Sequence, residues 1–353
     1  VRKRGRVEMK PKGEFGAWRN ASVVLVLWLV AVAGFVWRSG AQGIGGLVAS
    51  AIFAIVLLAT LAFTDPRVVE FLRRLARRGP GWVVLFPLLA WVLAAAYSGF
   101  VAHGPIPWAL LAYALVPAIL ARLASLTGSK PNLWDLLAIL AIWFPVELDW
   151  ISGPPLPPGR GVVGLGSLLA MPLALYAFLA VRRVAGVGFH LDFRSRELGW
   201  AFVYFLAFIP FALILGLPTG FIRPSTEFPS LARIVFTLVA IFLFTGIPEE
   251  VLFRGLIQNL LAQRLGEGGR WKPISLAVTS VIFGWAHVNN RVPPLAEWHL
   301  GPLGTIPVPW VYVVLATIAG VFYGLAYLRT GKVTAAAIVH ALVDATWSLA
   351  FAG

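Results

Sequence analysis

The feature that most constrains this chain is a series of about eleven apolar runs, each close to the width of a bilayer core, separated by short polar segments. They fall approximately at residues 21–37, 44–63, 82–102, 108–124, 133–151, 162–181, 200–217, 234–261, 274–288, 311–328 and 333–351. A helix crosses a hydrocarbon core of about 30 Å in about 20 residues, with its backbone polar groups bonded inside the segment. A water-soluble fold has no place for so many such runs. The expectation is an all-α, polytopic transmembrane helix bundle. The composition agrees: 59% of residues are hydrophobic and only 12% charged, where ordinary globular chains carry about 25%.

Charge placement orders the runs. A net charge of +14 suits a nucleic-acid surface in principle, but the basic residues sit in short segments between apolar runs. Arg67, Arg73, Arg74, Arg77 and Arg78 follow the second run, Lys130 the fourth, and Arg182, Arg183, Arg194 and Arg196 the sixth. Arg264, Arg270 and Lys272 follow the eighth, and Arg329 and Lys332 the tenth. The intervening segments are poorer in charge, with Arg38, Arg160, Arg223, Arg233 and Arg291 as exceptions. This alternation puts the amino terminus in the cytoplasm and the carboxyl terminus outside, in a multi-pass protein of the cell membrane without a nucleic-acid partner. The run 21–37 is longer than a signal-peptide core and lacks a small-x-small cleavage site, so it reads as a retained anchor. Segment 65–78 is helical in pattern and basic. It reads first as an inside topology signal and second as a helix lying along the inner surface.

The Pro-rich stretches 153–160 and 292–310 read as ordered outer loops. Zero cysteines exclude disulfides, thiolate zinc sites and a cysteine nucleophile. No internal repeat is visible. The organisation expected is a basic cytoplasmic segment at 1–20, membrane helices of unassigned role at 21–200, and a membrane core at 201–353 that carries the chemistry. In the early runs Glu147 and Asp149 are the main polar exceptions. They fall at the outer end of their run, which suits an interfacial position better than a substrate contact.

The eighth run is interrupted by Gly246-Ile-Pro-Glu-Glu-Val-Leu-Phe-Arg-Gly255. Carboxylates inside a membrane are costly and are kept where they are used. Glu250 and Arg254 lie four residues apart, share a helix face and can pair. Glu249 lies about 100° round the helix and has only Phe253 at its own i+4 position. One acid is therefore neutralised by its neighbour and the other is free. Pro248 cannot donate to the carbonyl of Phe244 and reads as the start of a new helical turn, which would put Glu249 near a helix N-terminus. The plainer reading of the stretch is a structural ion pair in a kinked helix.

Three further ionisable residues occur in the later runs: His287, and the i,i+4 pair His340 and Asp344. At about 1.5 Å per residue, Glu249 lies roughly 22 Å from Arg264 and His287 roughly 22 Å from Lys272. His340 and Asp344 lie roughly 12 and 18 Å from Lys332. Counted from one side, all four fall in the middle of the core and can converge on one polar site.

These residues resemble the three motifs of the CPBP family: Glu-Glu-x-x-x-Arg at Glu249, Glu250 and Arg254, Phe-x-x-x-His at Phe283 and His287, and His-x-x-x-Asn/Asp at His340 and Asp344. That family contains the type II CAAX prenyl endopeptidases and bacteriocin-processing or immunity proteins. The resemblance spans roughly residues 234–351; Asp344 departs from the Asn that the prenyl endopeptidases usually carry. It implies a glutamate-dependent intramembrane endopeptidase that cleaves a membrane-associated peptide or protein, lipidated or not, without a cofactor. Glu249 and His287 would activate a water, while His340 and the residue at 344 would stabilise the oxyanion. Glu250, Arg254 and Phe283 would support them. Zinc held by Glu249, His287 and His340 is the alternative chemistry. An inactive family member acting as a scaffold or immunity protein, and a proton-coupled transporter, are the alternative functions.

Overall fold

The computed structural model describes residues 14–226, 228–266, 271–299 and 304–352. Among them the chain forms twelve helices: α1 (Glu14–Ser39), α2 (Gly43–Ala62), α3 (Pro66–Arg77), α4 (Pro80–Phe100), α5 (Trp108–Leu126), α6 (Leu133–Glu147), α7 (Leu165–Val181), α8 (Ser195–Gly216), α9 (Leu231–Leu265), α10 (Trp271–Trp285), α11 (Trp310–Thr330) and α12 (Val333–Ala350). Eight of these (α1, α2, α4, α5, α8, α9, α11 and α12) are long and apolar enough to cross a membrane. This is a multi-pass, all-helical membrane protein.

Every one of the eleven apolar runs falls on a helix. Three of those helices are short: α7 is an apolar helix below spanning length, and α6 and α10 have 15 residues each, about 22 Å. The twelfth helix, α3, is the basic segment. It buries Val69 and Ala76 and turns Arg67, Arg74 and Arg77 to solvent. Its start is fixed by Asp65, which accepts from the Arg67 backbone N–H at 2.8 Å, with Pro66 in the first turn. Helix α1 starts at Glu14, earlier than the pattern suggests, and most of segment 1–20 lies outside the described residues.

The helices at the end of the chain pack as a unit. Helix α11 lies against α8, α10 and α12, and α12 also contacts α8 and α9. Small residues allow this closeness, as in other membrane bundles. Ala335, Ala336 and Ala337 are fully buried, and a Cβ at Gly246 would come within 3.0 Å of the Ala337 carbonyl. Glycine at 246 thus lets α9 approach α12 one turn before the two glutamates.

Loop contacts join segments that the charge alternation assigns to one side. On one, Asn20 bonds both Thr64 Oγ1 (3.0 Å) and the Leu191 N–H (2.9 Å), and Lys332 meets Glu197 at 2.6 Å. On the other, Arg160 donates to the Ser39 carbonyl at 3.1 Å, and Arg223–Pro224 pairs antiparallel with Phe351–Ala352. Among the described residues the two Pro-rich stretches carry short antiparallel pairings, Pro155–Leu156 with Val163–Gly164 and Ala296–His299 with Thr305–Val308.

Two local expectations need correction. Pro248 opens a short α-helical stretch, Ile247–Glu250, but the chain does not break there. Phe242–Gly246 before it and Val251–Gln258 after it are π-helical, and the Ile247 N–H bonds the Phe242 carbonyl five residues back. The wider turns absorb the missing proline donor. Glu249 therefore sits inside one continuous helix and gains nothing from a helix start. His287, expected within a span, lies in a turn just beyond α10, its N–H bonded to the Gly284 carbonyl.

Candidate active site

The centre of the polar cluster is His340, 2% exposed on α12. Its Nδ1 lies 3.0 Å from Glu250 Oε1. A carboxylate there only accepts, so Nδ1 carries the hydrogen and the ring presents Nε2 in the other direction. Nε2 lies 3.3 Å from Asp344 Oδ2, one turn along the same helix, and 3.9 Å from Glu249 Oε2 on α9. One imidazole nitrogen thus faces two carboxyl groups, while a third carboxyl group holds the opposite side of the ring.

Aromatic packing fixes the ring plane. Tyr323 on α11 stacks on His340 with centroids 4.7 Å apart and planes 16° from parallel. Phe283 on α10 meets it edge-on at 5.9 Å and reaches His287 at 4.8 Å. Phe283 is therefore the wall shared by both imidazoles. The His287 Nδ1 lies 2.8 Å from the Phe283 carbonyl, so this nitrogen donates and Nε2 is left as the acceptor. Tyr312 stands 5.0 Å from the His287 ring.

Glu250 and Arg254 are both fully buried, with Nε 3.0 Å from Oε2. The pairing expected from their spacing is present, but it lacks hydrogen-bond alignment, and none of the three guanidinium nitrogens has a hydrogen-bond partner. Instead the guanidinium lies 4.8 Å from the centre of the Phe283 ring and 5.9 Å from that of Tyr323. Glu250 does more than neutralise Arg254. Its other oxygen orients His340, a contact across 90 residues.

A cavity of about 270 Å³ opens beside these groups. His287, His340 and Asp344 contribute its polar wall together with Tyr312 and Tyr323, and Phe208 of α8 and Trp347 of α12 belong to its apolar wall. Glu249 is not part of the wall. It joins the group through His340, keeps about a third of its side chain exposed (31%), and lies within electrostatic reach of His287 and Asp344. The four residues singled out in the sequence are thus brought together, His287 more loosely than the other three. Among the described residues no three or more His, Asp and Glu side chains are placed to hold a metal ion.

Glu147 and Asp149 are exposed, as an interfacial position requires. Glu147 also approaches Asn289, two residues past His287, at 3.5 Å. Trp143 on α6 packs edge-on against Phe253 at 5.3 Å, and Phe253 against Phe283 at 4.9 Å, so an early helix reaches the wall of the site. Sequence reasoning located α11 as the run 311–328 but missed its part in the site, the tyrosines Tyr312 and Tyr323. The available signal was Tyr312 and Tyr323 inside one apolar run, eleven residues apart and hence on one helix face.

Residues 231–346 match the model of the family described as Type II CAAX prenyl endopeptidase Rce1-like. No curated protein and no solved structure matches the chain. The matched stretch contains α9, α10 and α11, and α12 as far as Asp344 and two residues beyond. The resemblance drawn from the three motifs is borne out over these residues, and it points to a CAAX-type protease embedded in a membrane.

Proposed function

Taking residues 231–346 as the Rce1-like part of the chain, we propose that the protein is an intramembrane endopeptidase of glutamic type. Its substrate is a peptide or protein associated with the membrane. The observation that carries this reading is the placement of His340 Nε2 between Glu249 and Asp344, with Nδ1 already engaged by Glu250. In the proposed reaction Glu249, the acid without an arginine, accepts a proton from water while His287 Nε2 orients that water. The water oxygen bonds to the scissile carbonyl carbon, and the carbonyl oxygen becomes an oxyanion stabilised by His340, acting as an imidazolium that carries a hydrogen on Nε2 as well as on Nδ1. The C–N bond then breaks, and the proton held by Glu249 passes to the leaving nitrogen. Asp344 assists as a donor when protonated and fixes the imidazole when ionised.

Eleven passes, a cytoplasmic amino terminus and residence in the cell membrane belong to the same proposal. The loop contacts support the alternation, since each links segments of one side. In this reading residues 21–200 frame the catalytic part, and the membrane core at 201–353 carries the chemistry.

The test compares the purified protein with its Glu249→Ala variant on membrane-anchored peptides, with and without a chelator. Cleavage by the wild type is expected to survive chelation and to fall by about 10²–10⁴-fold in the variant, the usual contribution of a general base. Cleavage undiminished in the variant rejects the mechanism, and chelator loss restored by zinc replaces it with the metal-dependent one.

A further inference from the structure

The side-chain atoms that are buried without a hydrogen-bond partner are not scattered. Among the described residues they belong to Glu249, Glu250, Arg254, Gln258, Thr279 and Ser280. Glu250, Arg254 and Gln258 follow one another at i,i+4 along α9, about 12 Å of helix. Thr279 and Ser280 lie on α10, and each of Arg254, Gln258, Thr279 and Ser280 is at most 1% exposed.

Helix α11 closes the third side with two glycines. A Cβ at Gly320 would lie 3.4 Å from Arg254 Nη2 and 3.3 Å from Ser280 Cα, and one at Gly324 would lie 2.8 Å from Gln258 Oε1. Gly320 ties Arg254 and Ser280, and Gly324 ties Gln258, to a single three-helix junction; Thr279 is the chain neighbour of Ser280. The junction lies outside the cavity lining, which includes none of Arg254, Gln258, Thr279 and Ser280. Polar groups this deeply enclosed are ordinarily bonded to protein or to ordered water, and a buried water makes about three such bonds. The set is chemically suited to water: a guanidinium and an amide supply donors, and an amide oxygen and two hydroxyls supply acceptors.

We propose that this junction is an internal water-binding site. Ordered water completes the hydrogen bonds of Arg254, Gln258, Thr279 and Ser280. It fixes the guanidinium against Glu250, and through Glu250 the orientation of His340. Gln258, Thr279 and Ser280 are positioning residues and touch no reacting atom. The site stands apart from the peptidase reading: a failed cleavage assay leaves it intact, and a dry junction leaves the catalytic assignment intact.

Radiolytic hydroxyl labelling of the full-length protein in nanodiscs decides it, because bound water generates the radical in place. Leu276, 8% exposed and facing Gly324 and Gln258, is the reporter; Leu165, Leu175 and Leu191, each 0% exposed, are the dry references. Leu276 is expected to be oxidised at least about tenfold faster than the references, and Gln258→Leu is expected to cut that rate severalfold. A Leu276 rate equal to the references overturns the proposal, as does a high rate unaffected by Gln258→Leu in a variant that still melts cooperatively. Should Gln258→Leu fail to fold, Thr279→Val takes its place, with the same two readings. Melting of Thr279→Val is an independent check. Loss of a water-bonded hydroxyl lowers Tm by about 2–4 °C and Thr279→Ser recovers it, whereas a Thr279→Val protein as stable as wild type marks a dry hydroxyl and counts against the site.

Discussion

Among the described residues the protein holds two buried arginine–carboxylate pairs, one between α6 and the end of α7 and one within α9, and they are built differently. Arg182, at the end of α7, meets Asp135 of α6 through Nε at 2.5 Å and Nη2 at 3.0 Å. Its Nη1 and Nη2 also donate to the Gly128 and Lys130 carbonyls, each at 3.1 Å, and Asp135 accepts from the Asn132 N–H. All three guanidinium nitrogens are engaged. Arg254 approaches Glu250 to 3.0 Å, yet none of its nitrogens is hydrogen-bonded to protein and aromatic rings surround it. The first pair is saturated and clasps two helix ends. The guanidinium of the second finds no hydrogen-bond acceptor in the protein, and one oxygen of Glu250 turns to His340 instead. Buried donors left unmatched would cost on the order of 1–3 kcal/mol each, a cost that the water proposed above removes.

Substitutions can break or sharpen this contrast. The largest effects come from stranding either carboxylate. Arg182→Met and Arg254→Met each leave a buried acid without its cation and are expected to destabilise by about 3–5 kcal/mol in denaturation measurements. Replacing whole pairs separates the two cases. Asp135→Leu/Arg182→Met is expected to fold with near wild-type stability and to keep its cleavage rate. Glu250→Leu/Arg254→Met is expected to fold but to lose about 100-fold in kcat, because His340 loses the partner of Nδ1. Equal activity in the two double variants would erase the distinction.

A smaller effect is expected at the stacked ring. Tyr323→Leu removes an aromatic contact of about 0.5–1.5 kcal/mol from His340, and up to about tenfold in kcat, with KM little changed. Asp344→Asn restores the residue usual in the resembling prenyl endopeptidases and is expected to change kcat by less than about tenfold, since an amide can still donate to an oxyanion. Smallest, and outside both pairs, is Asp65→Ala. Loss of this cap on α3 is expected to cost about 1 kcal/mol at neutral pH without affecting cleavage. The hydrogen bond from the Arg67 side chain holds the Asp65 carboxyl below its ordinary value. A depressed carboxyl contributes fully above its ordinary pKa of about 3.9, and the contribution is lost as pH falls through the folded value. Melts of wild type and variant should therefore differ at pH 7 and converge in acid.

What could be read from the sequence follows from how far each interaction reaches along the chain. The apolar runs locate eleven helices because run length and backbone satisfaction are local properties. Glu250–Arg254 and His340–Asp344 are legible for the same reason, as both rest on i,i+4 spacing. The Glu250–His340 contact is not, since nothing in either motif says that the paired acid also turns toward α12. Tyr323 is invisible on similar grounds: its importance lies in a ring stacked on a residue of another helix. The π-helical turns around Pro248 escaped because a proline in an apolar run signals a break equally well, and only the bond from the Ile247 N–H to the Phe242 carbonyl shows that the helix carries on. His287 was assigned to a span because its run stays apolar to Val288, although the chain has already turned.

Those wide turns carry a further consequence. The bearing of Glu249 is governed by a residue count. Winding Phe242–Gly246 as ordinary α-helix, with no residue removed, would convert a loose coil of the helix into a tight one and swing everything beyond it by about 100° relative to what precedes it. Both acids would then sweep past the imidazole they now face, with every side chain of the catalytic set still present. The site is aimed by the slack in its own helix.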